Sequence, residues 1–272
     1  MFRTLLLIPL LATACADKSI GLGGGSAPDA RMYADVYTWE CDEDGSGADL
    51  YEGVFSYLVS LEYAPDALVD RDLPSSGCTK GIDLFPSDAG AGAHDLDGSP
   101  EYENESIAGG LTHQGTGFYH DDVLGNQHAC TPAEDLLGSG TSLLNADMFT
   151  SASTPAPDTF EDVTFSTEID EVSGVAFDSV VDVEWVAGDW TDSFIQVRRE
   201  SGGALVESVT CNTTGGSTYT IGPEVWDLFS GAVEVDVTNL YVGVQNSKSS
   251  DAEDGQKITT VTRALHVAVV QD

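Results

Sequence analysis

The chain reads as all-β: an antiparallel β-sandwich in its C-terminal half, joined to an irregular, disulfide-containing, β-rich N-terminal region. Three observations predict this. After residue 158 there are eight runs rich in β-branched and aromatic residues, separated by short turn signals. Two of them, Ala232–Val237 (AVEVDV) and Val180–Trp185 (VVDVEW), alternate apolar and polar residues, the pattern of a strand with one buried face. Beyond the first fifteen residues the chain carries four cysteines, an even number, with long spacings and no CxxC.

The elements follow in order. Met1–Cys15 has one early cation, Arg3, an apolar run Leu5–Leu11, then Ala12-Thr13-Ala14 before Cys15. This is the layout of an export signal, too short for a permanent membrane span. Small residues before a cysteine resemble the lipobox of bacterial lipoproteins, although that family prefers Leu where this chain has Ala12. The resemblance covers these fifteen residues. It implies cleavage before Cys15 and acylation of that thiol, and Ala16 after it implies outer-membrane sorting in a cell with two membranes. Ala12-Thr13-Ala14 also fits an ordinary A-x-A cleavage site, so acylation stays open. The expected organisation is a signal at 1–14, a flexible tether at 15–30 containing GLGGGSAP, a loop-rich β region at 31–150 and a β-sandwich domain at 158–272.

Tyr33–Glu40 (YADVYTWE) and Gly53–Tyr63 (GVFSYLVSLEY) predict the first two strands, with Val54, Tyr57/Val59 and Leu61 toward a core at an imperfect period of two. Ala64–Thr150 is rich in Gly, Asp, Ser and Pro and predicts either short hidden strands or a functional excursion. Thr131-Pro132-Ala133-Glu134 has the order of a helix start and predicts a short helix to Leu137. Ser151–Asp158 (SASTPAPD) predicts a boundary. The strands expected after it are Val163–Ile169, Val172–Phe177, Val180–Val186, Phe194–Arg199, Leu205–Cys211, Ser217–Ile221, Ala232–Gln245 and Lys257–Gln271, with a hairpin turn at Gly202-Gly203 and a helical turn at Gly222–Trp226. In strand number and length this half looks like the immunoglobulin or fibronectin type III group, a likeness of architecture that implies no activity.

Charge narrows the partners. The chain has 272 residues, 46 Asp+Glu against 10 Lys+Arg, and a net charge of −36. Nucleic acid and anionic lipid heads are therefore excluded as charge-driven partners. Contact with a membrane is expected only through the lipid anchor. Cys41, Cys78, Cys130 and Cys211 are expected to form two disulfides, with three possible connectivities.

Two constellations invite a metal. Asp42, Asp44 and Ser46 at alternate places, then Gly47, match the opening of a calcium loop. The twelfth place holds Gly53, however, and Glu52 lies one short. An acidic hairpin turn explains the same residues. His113, His120 and His128 fall with His94 in one loop-rich segment and offer imidazoles for zinc or copper, at spacings that match no recognised pattern. The chain has no G-x-S-x-G, H-E-x-x-H, P-loop or G-x-G-x-x-G sequence. The expected role is a non-enzymatic binding, adhesion or structural module of the cell envelope, facing an extracellular or envelope macromolecule. A divalent-metal-binding protein and a secreted hydrolase are the alternatives.

Overall fold

The structure is a computed structural model that describes residues 29–42, 50–65, 68–85, 87–104, 107–122, 131–132, 140–144, 152–154, 163–166, 175–176, 179–230, 235–251 and 256–271. Two long strands open it, β1 (Ala30–Asp42) and β2 (Leu50–Tyr63). Short ones follow: β3 (Gly77–Lys80), β4 (Glu101–Glu103), β5 (Ala108–Gly110), β6 (Thr112–Gly115), β7 (Phe118–Asp122), β8 (Thr131–Pro132), β9 (Thr141–Leu144), β10 (Ala152–Thr154), β11 (Thr164–Phe165), β12 (Val175–Ala176) and β13 (Val181–Glu184). The C-terminal part is β14 (Asp192–Ser201), β15 (Ala204–Asn212), β16 (Thr218–Ile221), a one-turn helix α1 (Pro223–Trp226), β17 (Val237–Asp251) and β18 (Lys257–Gln271).

The chain is all-β, with its sheets packed as a sandwich. One large sheet runs β3-β15-β14-β17-β18-β1-β2-β7-β6, with β12 beside β18 and β8 beside β2. A four-stranded sheet (β10-β9-β4-β5) and a three-stranded sheet (β11-β13-β16) complete the strands. Alternation along β1 explains the packing. Ala30, Met32, Ala34 and Val36 are buried with Tyr57, Val59 and Leu61 of β2 against Tyr102 and Leu143 of the small four-stranded sheet. On the same face of β18, Ala264, Ala268 and Val270 join Ile195, Val197, Val209 and Leu240 against Val181, Val183, Trp185 and Ile221 of the three-stranded sheet.

Several sequence expectations need correction. The boundary at 151–158 does not separate two sheets: β1, from the N-terminal side, lies parallel to β18, the last strand, with Ala30 opposite Ile258 and Thr38 opposite His266. Local composition registers a polar, Pro-rich connection, whereas strand pairing across the whole chain decides the sheet. Thr131 and Pro132 form β8, with Thr131 opposite Val54 and Pro132 opposite Gly53; the helix expected to run on to Leu137 falls on residues 133–137, which lie outside the described residues. Of the strand expected from Ala232, residues 232–234 lie outside the described residues, and β17 runs from Val237 to Asp251. The hairpin at Gly202-Gly203, with φ of 59° and 77°, and the helical turn at 223–226 stand where expected.

Among the described residues one disulfide is present, Cys78–Cys211, between directly opposed residues of β3 and β15 with Cα atoms 4.0 Å apart. Of the three connectivities expected for two disulfides, it is compatible with the one that pairs Cys41 with Cys130. The side chain of Cys41 and all of Cys130 lie outside the described residues, as does Cys15.

Candidate functional site

The second face of the large sheet is polar in sequence yet covered. Arg31, Tyr33, Asp35 and Tyr37 alternate with the apolar residues of β1 and so point the other way. On this face lie the irregular stretches 68–76 and 81–90, on either side of the short strand β3, residue 86 being outside the described residues. An irregular segment packed on a sheet needs partners for its own carbonyls, and the sheet supplies them from side chains. Arg31 donates to the Val69 carbonyl, Gln196 and Ser208 to that of Ile82, Arg71 to those of Asp83 and Asp88, and Arg263 to that of Leu84. Leu84 and Phe85 seal the region over Phe194, Tyr241 and Leu265.

The arginines are also the counterions of the buried acids. Arg263, 1% exposed, holds Asp35 through Nε and Nη2 at 2.6 and 2.7 Å and lies over the rings of Tyr33 and Phe85. Arg71 Nε reaches Glu62 Oε1 at 2.8 Å, and Arg31 reaches Asp72 at 2.9 Å. Glu62 is fully buried. Burial pushes its carboxyl above the ordinary range, and Arg71 only partly opposes that. Burial likewise raises the Tyr33 hydroxyl far above its usual value, so it stays neutral. Arg198 and Arg199, adjacent in β14, point to opposite faces: Arg198 meets Asp83 and Glu200, and Arg199 meets Glu207, which also binds Lys80 at 2.8 Å. Among the described residues no arginine is exposed. The arginines sit inside, whereas Lys80 and Lys248 are exposed.

At one end of the covering segment a cleft of about 500 Å³ opens between two walls. One wall is Ser87–Gly90; the other is Gln114–Thr116 with Phe118. Both walls are fixed from within. The Asp88 carbonyl accepts from Arg71 Nη2 at 3.1 Å, and its carboxylate accepts from Gly90 N at 3.0 Å. On the other side Gly117 N donates to Asp95 at 2.9 Å, and Phe118 of β7 lies directly opposite Glu62 of β2. The lining offers a carboxylate, an amide, two hydroxyls and glycine backbone, with no cationic side chain.

The residues singled out from sequence fall elsewhere. Asp42 ends β1 opposite Leu50, and Glu52 pairs with Glu40; Asp44, Ser46 and the rest of 43–49 lie outside the described residues. His113 is opposite Tyr119, and Thr112 is opposite His120, so the register turns His113 and His120 to opposite faces of the sheet. His113 binds Asp95 Oδ1 at 2.9 Å, His120 stacks on Phe118, and His128 lies outside the described residues. Among the described residues no three His, Cys, Asp or Glu side chains converge as a metal site. Trp226 is buried and donates to the Ser179 carbonyl.

No family model matches this chain, and no curated protein is similar to it.

Proposed function

We propose that this is an exported, lipid-anchored protein of the bacterial envelope that acts as a non-enzymatic binding module. Address and role rest on different grounds. The address rests on Met1–Cys15, whose arrangement places an acylatable thiol just after a small-residue cleavage site. The role rests on one observation: the cleft between Ser87–Gly90 and Gln114–Phe118 is formed before any ligand arrives, because its walls are tied to the Arg71–Glu62 pair and to Asp95. A pre-formed site avoids the ordering cost of binding. The strongly negative exterior keeps nucleic acid away and leaves neutral or cationic partners.

The address is tested by expressing the full chain in a bacterium fed an alkyne-tagged fatty acid. Label on the protein and its recovery with membranes are expected, and both are expected to vanish in Cys15→Ser. An unlabelled wild-type protein, or membrane recovery that survives Cys15→Ser, overturns the anchor.

A further inference from the structure

We infer that the cleft between Ser87–Gly90 and Gln114–Phe118 is a saccharide site that takes neutral or amino sugars and rejects acidic ones. The inference deepens the binding-module reading and rests on it.

The chemistry of the lining carries the assignment. A sugar ring presents hydroxyls that each donate and accept, above a patch of C–H groups. The cleft answers with groups of both kinds: the Gln114 amide donates and accepts, the hydroxyls of Ser87 and Thr116 do both, and the Asp88 carboxylate accepts. Gly90 and Gly115 have no side chains, so the backbone itself is open to a ligand there. Phe118, 5% exposed, is the aromatic member of the lining and presents only its edge to the cleft, with the His120 ring 6.3 Å away at 18°. The cleft, about 500 Å³, is shallow and open to solvent on one side.

Charge sets the selectivity. The one ionisable side chain in the lining is Asp88, and the chain as a whole carries −36. A carboxylated or sulfated sugar meets no cation in the cleft, because the nearby Arg71 guanidinium is already spent on Glu62 Oε1 and on the carbonyls of Asp83 and Asp88. A neutral sugar carries no such penalty, and an ammonium group beside Asp88 gains a charge-assisted hydrogen bond.

The test is a set of NMR titrations of the oxidised protein with methyl glucoside, methyl galactoside, glucosamine and glucuronate. Saturable shifts are expected with at least one of the first three, and none with glucuronate. Gln114→Ala and Asp88→Asn are each expected to weaken binding at least tenfold, with the melting temperature unchanged. Asp88→Asn keeps the side chain's shape and its acceptor oxygen, so its effect falls most on glucosamine. No saturable binding of any sugar overturns the inference, as does equal binding of glucuronate or binding unaltered in the Gln114→Ala, Asp88→Asn double variant. Lipidation at Cys15 is read separately, so either result stands without the other.

Discussion

Arg263 and Asp35 face each other across the parallel junction of the last strand and the first, 228 residues apart in sequence, joined by two hydrogen bonds of 2.6 and 2.7 Å. The pair does two jobs at once. It neutralises a carboxylate on a covered sheet face, and through Arg263 Nη1 it holds the Leu84 carbonyl, which fixes the covering segment. Arg31 and Arg71 repeat that arrangement at Val69, Asp83 and Asp88. One layer of arginines thus links sheet closure to the irregular segment and, through Arg71, to the cleft.

Removing one partner of the Arg263–Asp35 pair leaves the other charge buried and uncompensated. Arg263→Ala is therefore expected to cost about 3–5 kcal/mol. Replacing both by apolar residues, Arg263→Met with Asp35→Leu, removes the stranded charge and is expected to recover much of that loss. Urea unfolding of wild type, single and double variants checks it. A single variant within about 1 kcal/mol of wild type would mean that water reaches the pair.

The disulfide acts on the same segment at the β3 edge of the sheet. Cys78–Cys211 spans 133 residues and pins the short edge strand β3 to β15. By constraint of the unfolded chain it is expected to contribute about 3–5 kcal/mol. Cys78→Ala with Cys211→Ala is expected to lower the urea midpoint accordingly and to expose 68–90 to proteases. Peptide mapping without reductant gives the remaining pairing, and Cys41–Cys130 is the expected product.

Much of the strand content was legible because period and length agreed. Lys257–Gln271 was bounded as it stands, and Phe194–Arg199 with Leu205–Cys211 came out as the hairpin around Gly202-Gly203. What local composition does not carry is distant pairing: Ser151–Asp158 is small and polar, and nothing in it tells that β1 lies beside β18.

The site was less legible than the fold. Arg31, Tyr33, Asp35 and Tyr37 alternate as a polar face would, and alternation cannot tell a solvated face from one covered by a distant loop. A signal was nonetheless present: arginine is scarce in so acidic a chain, and Arg31 and Arg71 stand within or beside strand and loop sequence that has no other need of a cation. The histidines drew attention by sequence proximity, but adjacent strands in antiparallel register put His113 and His120 on opposite faces. The cleft residues, mostly Gly, Ser, Thr and Ala, are ordinary turn residues until Arg71 and Asp95 place them.

Glu62 gives the fold a pH dependence with a definite sign. Its carboxyl is raised in the folded state by burial, with Arg71 only partly opposing, and unfolded it titrates near the ordinary value of about 4.3. The folded state therefore holds the proton more tightly. The stability this contributes is complete below the unfolded value and is lost as pH rises through the folded one. Wild type is expected to lose stability relative to Glu62→Gln across that window, measured as urea midpoints at successive pH values. A relative gain on raising the pH would show that Arg71 outweighs burial.

Gly117 separates two reasons for a glycine. It sits in the β6–β7 turn with φ of 65°, and a Cβ there would collide with the Tyr63 carbonyl oxygen. Gly202 has a similar φ of 59°, but a Cβ would meet nothing within 4 Å. Gly202→Ala is thus expected to cost only the left-handed strain, about 1–2 kcal/mol. Gly117→Ala adds a backbone collision that no rotamer relieves. Relief requires moving the Gly117 N–H from Asp95 and the Tyr63 N–H from the Gly117 carbonyl. The loss is expected to exceed that of Gly202→Ala by about 1–3 kcal/mol, the usual range for overpacking. The turn also supplies one wall of the cleft, so Gly117→Ala is expected to shift the amide resonances of Gln114–Phe118 while Gly202→Ala leaves them in place. Equal stability losses in the two variants would show that the turn moves away from Tyr63 freely and that this wall of the cleft is soft.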